Sequence, residues 1–198
     1  MRNAILFTTL MRLLAPWPGL VWANELDNST RANSLDQQTM VPIMQTLMDC
    51  SPPDLRQPLA SVQLLIEPSE DIFAYSTKGR IVISRGLLIH FKDKDFLHFV
   101  VAHEFSHHML SHLDRSRRMF PGEIFEETVA ASLRQYFEFE LEADLMAVQT
   151  LKQCSIDTSR LGEHLEKLIA STRESAEIPE LLQFHQRRIN KLRSIPSD

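Results

Sequence analysis

The stretch that decides the fold reads Phe99-Val100-Val101-Ala102-His103-Glu104-Phe105-Ser106-His107. Because four residues turn a helix by about 400°, His103 and His107 lie on one helix face, one turn apart. Their imidazoles can converge on one metal ion, and this donor set suits zinc. Glu104 follows the first of them and can act as the general base for a water held by that metal. A histidine-rich surface helix is the alternative, but the apolar run before His103 favours a buried helix.

A catalytic zinc needs a third protein ligand, and the acidic residues for it occur in one later run. Two pairs of acids each share a helix face there: Glu140 with Asp144, and Glu138 with Glu142. Periodicity does not choose between the two faces, and an acidic surface stripe is the alternative for all four. In one workable division, Glu140 ligates zinc and Asp144 accepts a hydrogen bond from a ligating histidine.

Composition places the chain among ordinary globular proteins. It has 198 residues, of which 43% are hydrophobic, and a formal net charge of -5. The acidic balance argues against a nucleic-acid partner. Only 5 glycines are present, and no glycine-rich phosphate-binding motif occurs. We expect a single domain over residues 36–198.

Hydrophobic spacing predicts a mainly helical α+β domain with one small sheet. The long helix predicted over 94–113 carries the histidine motif, and the one predicted over 123–154 carries the acidic residues. We expect these two helices to face each other across the zinc. Shorter helices are predicted over 36–50, 86–91, 157–172 and 179–193, and strands over 61–66, 72–75 and 80–84.

The N-terminus predicts export from the cytoplasm. Residues 1–23 carry two arginines, no acid and a mostly apolar remainder that ends in Val21-Trp22-Ala23, which is typical of a signal peptide cleaved after Ala23. An uncleaved membrane anchor is the alternative, and residues 24–35 are predicted to form a polar linker. In an oxidising compartment Cys50 and Cys154 could form a disulfide, whereas two buried free thiols are the other possibility.

Four ordered motifs give the sequence a resemblance to the HtpX-type zinc metallopeptidases, which include the CAAX prenyl protease and periplasmic quality-control proteases. The motifs are Asp71–Tyr75, Gly79–Leu88, Asp95–His107 and Glu140–Asp144. The resemblance implies a minimal gluzincin-like fold with one zinc per chain, held by His103, His107 and Glu140 and supported by Asp144. The C-terminal run His185-Gln186-Arg187-Arg188-Ile189 departs from the family pattern, because it lacks a proline and has a shortened gap.

The sequence and the resemblance together predict a small zinc endopeptidase that is periplasmic or otherwise exported. The resemblance implies unfolded or misassembled envelope proteins as substrates, with a peripheral membrane association left open and no particular oligomeric state indicated. Arg188, His185 or Tyr136 could contact the oxyanion or the substrate. By hypothesis, Ile81–Ser84 forms an edge strand that pairs with the substrate backbone. The competing hypothesis is a zinc-binding chaperone or adaptor whose peptidase activity is latent or lost.

Overall fold

A computed structural model describes residues 34–119, 126–171 and 179–196. Within these ranges it contains eight helices and one three-stranded sheet, which confirms the mainly helical α+β class. The predicted signal peptide, and the predicted linker as far as residue 33, lie outside the described residues. The elements in chain order are α1 Ser34–Cys50, α2 Pro53–Ala60, β1 Gln63–Glu67, β2 Ala74–Thr77, β3 Arg80–Ser84, α3 Arg85–His90, α4 Lys94–Met109, α5 His112–Met119, α6 Glu126–Gln153, α7 Leu161–Ser171 and α8 Pro179–Arg193.

The sheet has the strand order β1-β3-β2. β2 and β3 form an antiparallel hairpin, while β1 pairs with the other side of β3 in parallel. The prediction that Ile81–Ser84 forms an edge strand is therefore wrong, because this segment belongs to the central strand and all four of its residues are buried. The continuous apolar run Ile81-Val82-Ile83 is typical of a buried strand that has neighbours on both sides. The strand of the hairpin that lies at an edge is β2.

The junction between β3 and α3 depends on two small residues. The Ser84 hydroxyl accepts hydrogen bonds from the backbone N–H groups of Leu87, 3.1 Å away, and Phe73, 3.0 Å away. It therefore caps α3 and ties the segment before β2 to the end of β3. At Gly86 a Cβ atom would lie 2.1 Å from the carbonyl oxygen of Glu70, so that only glycine fits there.

Helix α4 is the central element of the core. The Asp93 carboxylate caps its start by accepting from the backbone N–H groups of Asp95 and Phe96. Every residue from 96 to 106 is buried. The predicted helix over 94–113 is longer than the observed one, because Ser111 takes a left-handed φ of 53° and the chain begins α5 in a new direction. This turn brings His112 back against α4.

Other differences from the predicted elements have simple local causes. No helix was predicted between residues 51 and 60, but Pro53 begins α2, because proline fits the first turn of a helix. No helix was predicted between residues 114 and 122, yet α5 continues as far as Met119.

A disulfide links the C-terminal ends of α1 and α6. Cys50, the last residue of α1, is bonded to Cys154, which directly follows α6, and their Cα atoms are 5.0 Å apart. Both cysteines of the chain are therefore used, and no free thiol remains. Across the described ranges, no helix combines the length and the apolar character needed to cross a bilayer.

Candidate metal centre

Two histidines of α4 provide the first half of the site. His103 and His107 lie one helical turn apart, and their Nε2 atoms are 3.1 Å from each other. His103 is 7% exposed, and the imidazole rings meet edge to face. Since both Nε2 atoms point to the same place, this face of α4 presents two nitrogen donors to one position.

Helix α6 provides a carboxylate at the same position. One Glu140 oxygen lies 3.4 Å from Nε2 of His103, and the other lies 3.4 Å from Nε2 of His107. One ligand atom from each of these three residues lies within 4.8 Å of the other two. Two imidazoles and a carboxylate, with room left for water or substrate, are the donor set of a catalytic zinc site. These three side chains could hold one metal ion.

The hydrogen bonding of His103 fits a metal at this position. Its Nδ1 lies 2.9 Å from a carboxylate oxygen of Asp144. A carboxylate only accepts hydrogen bonds, so in the neutral ring, the form that binds a metal, the proton lies on Nδ1 and the lone pair of Nε2 faces Glu140.

The electrostatics of the pocket favour a positive charge there as well. Burial lowers the pKa of His103, but hydrogen bonds and charges from Asp144 and Glu140 outweigh it and raise the pKa to about 10. The pocket therefore stabilises a cation between the two α6 carboxylates, which a divalent metal ion would supply.

Arg188 of α8 is bonded to both α6 carboxylates. Its Nε and Nη2 atoms each donate to Asp144 at 2.7 Å, and its Nη1 lies 3.0 Å from Glu140. Burial alone raises the pKa of Glu140, but the guanidinium charge and the His103 hydrogen bond hold that pKa below its usual range. Arg188 thus keeps both acids ionised and fixes their orientation.

Glu104, which follows His103 in the chain, is a buried carboxyl group. It is 6% exposed, and its Oε2 is buried with no hydrogen-bond partner. Burial raises the pKa of Glu104 to about 7, with Glu140 acting in the same direction and His103 opposing it. The Ser76 side chain of β2 also opposes the rise in the pKa of Glu104. A carboxyl group with this pKa can both take up and release a proton near neutral pH.

Tyr136 and His185 border the same pocket. Burial raises the pKa of Tyr136 well above its ordinary value, with the charge of Glu140 acting in the same direction. Burial lowers the pKa of His185 to about 4, with the charge of Arg188 acting in the same direction. The Nδ1 of His185 is buried without a hydrogen-bond partner.

A second group of residues surrounds His107 on the side away from Glu140. His112 Nδ1 lies 2.9 Å from His107 Nδ1, and His112 Nε2 lies 3.1 Å from Glu142. Arg115 donates to both oxygens of Glu142, at 2.6 and 3.3 Å. The sequence offered only weak signals for this group, namely an extra histidine near the motif and an acid on the alternative face of α6.

The structure thus brings every predicted site residue into one pocket, although from distant parts of the chain. It also separates the two acidic faces that periodicity left open: Glu140 and Asp144 point to the histidines, whereas Glu138 is exposed and Glu142 reaches α5. Arg188 contributes to the pocket through carboxylates, with Nε and both terminal nitrogens engaged.

Comparison with known proteins agrees with this pocket. The family model "Peptidase family M48" matches residues 34–125, which include the sheet and the histidine motif of α4. No curated protein matches the chain. The M48 family comprises zinc metallopeptidases and includes HtpX and CAAX protease-like members. Over residues 34–125 the chain is therefore similar to peptidase family M48, a family of zinc metallopeptidases.

Proposed function

We propose that the chain is an exported zinc endopeptidase that hydrolyses peptide bonds of unfolded or misassembled envelope proteins. The observation that carries the peptidase proposal is the buried carboxyl group of Glu104, which has an unpartnered oxygen and lies beside three convergent metal ligands. A purely structural metal site would have no use for such a group.

The proposed roles follow from the positions of the side chains. His103, His107 and Glu140 would hold zinc, which when bound lowers the pKa of water and polarises a carbonyl group. Glu104 accepts the proton of the attacking water on its free Oε2 and passes it to the leaving amine. Asp144 and Arg188 fix two of the ligands, and the Tyr136 hydroxyl is available near the place where an oxyanion would develop.

Strand β2 is the best candidate for binding the substrate backbone. Ser84 donates its backbone N–H to the Phe73 carbonyl, so residues 73 and 84 form a hydrogen-bonded pair. Such pairs alternate along an antiparallel ladder, and the backbone groups of Ala74 and Ser76 therefore point away from β3. The influence of the Ser76 side chain on the pKa of Glu104 supports an edge close to the proposed general base.

An edge strand supports the proposal of unfolded substrates. It binds backbone N–H and C=O groups whatever the side chains are, and only an extended, unpaired segment presents those groups. Export to the envelope rests on the N-terminal pattern of residues 1–23 and agrees with the Cys50–Cys154 disulfide, because disulfides persist in oxidising compartments.

The test compares the wild-type chain with Glu104→Gln on a zinc-loaded sample and an unfolded protein substrate. We expect the variant to retain zinc and to lose cleavage by at least about 100-fold, because it cannot accept the proton. Glu138→Gln is the matched control, since this acid is exposed on α6 and outside the pocket. Zinc content is measured by metal analysis and cleavage by the appearance of internal fragments.

Three results would contradict the proposal. Equal cleavage by wild type and Glu104→Gln would show that Glu104 is not the base. Zinc-loaded wild type that binds unfolded protein without cleaving it would favour the chaperone or adaptor hypothesis. Release of single terminal residues instead of internal fragments would replace the endopeptidase assignment with an exopeptidase one.

A further inference from the structure

We infer that His112 is a positioning residue for His107, and that Glu142 and Arg115 hold it in place. The inference rests on the proposed role of His107 as a zinc ligand. The contacts form an unbroken series from α4 through α5 to α6: His107 Nδ1 to His112 Nδ1 at 2.9 Å, His112 Nε2 to Glu142 at 3.1 Å, and Glu142 to Arg115 at 2.6 Å.

The donors and acceptors of this series can be assigned by starting from Arg115 and Glu142. Arg115 only donates hydrogen bonds and Glu142 only accepts them, so the proton of His112 lies on Nε2 and is donated to Glu142. The Nδ1 of His112 is then an acceptor, and the Nδ1 of His107 must be the donor. This leaves the lone pair of His107 on Nε2, which is the atom that faces His103 and Glu140. The series therefore selects the tautomer that can bind a metal.

Packing holds the rings of the series in place. The His112 ring stacks on Phe139 with ring centres 4.4 Å apart and an angle of 13° between the planes. The guanidinium carbon of Arg115 also lies 4.4 Å from the centre of the Phe139 ring. His112 is 3% exposed, and the left-handed turn at Ser111 is what directs it toward α4. A histidine held so firmly restricts the rotation of its neighbour.

The two ligating histidines are thus supported in different ways. Nδ1 of His103 directly faces a carboxylate, that of Asp144 at 2.9 Å, whereas Nδ1 of His107 faces a neutral imidazole that in turn donates to a carboxylate. Groups that orient a ligating histidine typically change metal affinity by about 10–100-fold when they are removed. The same magnitude is expected for His112, although it would contact neither metal nor substrate.

The test measures zinc affinity of the metal-stripped full chain by competition with a chromophoric chelator. His112→Phe keeps the stacking on Phe139 but removes both nitrogens, and we expect it to weaken zinc binding by about 10–100-fold. The absorption spectrum of the cobalt-substituted protein should change as well, because the His107 ring is no longer held. His108→Phe is the matched control: this neighbouring histidine contacts the Arg80 carbonyl, and its removal should leave affinity and spectrum unchanged.

Glu142→Ala provides a second, independent variant, since this side chain is 41% exposed and its loss is compatible with folding. We expect weaker zinc binding in the wild-type background and no further weakening in the His112→Phe background, because Glu142 acts only through His112. Unchanged zinc affinity in His112→Phe, or in Glu142→Ala should the former not fold, would overturn the inference. So would additive effects of the two substitutions.

His107→Ala separates this inference from the proposed function. If His107→Ala binds zinc as tightly as wild type, the ligand set itself is wrong. If His107→Ala loses zinc while His112→Phe does not, only the positioning role fails. None of these measurements depends on peptide cleavage.

Discussion

At the scale of single residues, Arg188 compensates the charge of two buried acids of α6. Its guanidinium is 9% exposed and contacts both Asp144 and Glu140. Removing one partner of a buried charge group leaves the other uncompensated in a medium that solvates it poorly. The stability of the metal-free pocket should therefore depend on this one side chain.

We expect Arg188→Leu to lower the free energy of unfolding of the metal-free protein by roughly 3–5 kcal/mol. The measurement is urea-induced unfolding followed by circular dichroism. Arg187→Leu is the matched control, because this arginine is adjacent on α8 but exposed, and it should change stability by less than about 0.5 kcal/mol. Equal unfolding midpoints for the two variants would contradict the role assigned to Arg188.

The sequence predicts the residues of α4 far better than their partners. The four-residue spacing alone places His103 and His107 together, since helix geometry is local. The choice of Glu140 and Asp144 over Glu138 and Glu142 depends on which face of α6 meets α4, and periodicity did not decide it. Arg188 lies 44 residues from Asp144, so its pairing could not follow from spacing.

At the scale of elements, local sequence patterns predict the strands of the sheet but not their order. The hairpin of β2 and β3 follows from two short β-rich runs around Lys78-Gly79. The parallel addition of β1 on the other side of β3 depends on a crossover whose direction no local pattern encodes. As a result β3 was predicted at the edge of the sheet although it is central, and the proposed substrate edge moved to β2.

Ala74→Pro tests this edge. The N–H of residue 74 points away from β3, so proline removes a donor from the open edge without breaking the hairpin ladder. We expect kcat/KM for an unfolded protein substrate to fall by roughly 2- to 12-fold, which corresponds to one hydrogen bond of about 0.5–1.5 kcal/mol. Zinc content should be unchanged.

Ala74→Val is the control for this experiment, because it changes the side chain and keeps the N–H. Retained turnover in Ala74→Pro would rule out backbone pairing at this position. Proline at Val82 would instead disrupt the central strand, where residue 82 pairs with neighbours on both sides.

At the scale of the whole molecule, the disulfide constrains the relation between α1 and α6. It closes a loop with a sequence separation of 104 residues, which reduces the conformational freedom of the unfolded chain. Composition and cysteine count left a disulfide and two free thiols as equal possibilities, because the geometry of the pair depends on the packing of distant helices.

The variant Cys50→Ser/Cys154→Ser should lose about 2–4 kcal/mol of unfolding free energy relative to the oxidised wild type. The check is urea unfolding with and without dithiothreitol. The reductant should lower the stability of the wild type toward that of the variant and leave the variant unaffected. A wild type that is insensitive to dithiothreitol under unfolding conditions would contradict a stabilising disulfide.

The same disulfide also determines which parts of the molecule stay covalently connected after a cut in the backbone. All three proposed ligands and Glu104 lie between Cys50 and Cys154, inside the covalent ring, whereas Arg188 lies outside it. A single backbone cut anywhere in the ring leaves both fragments joined, so the ligands stay in one covalent molecule. A cut between Cys154 and α8 instead releases the guanidinium that compensates the two acids. For a protein exposed to other proteases, the connection to the last helix is therefore the vulnerable one.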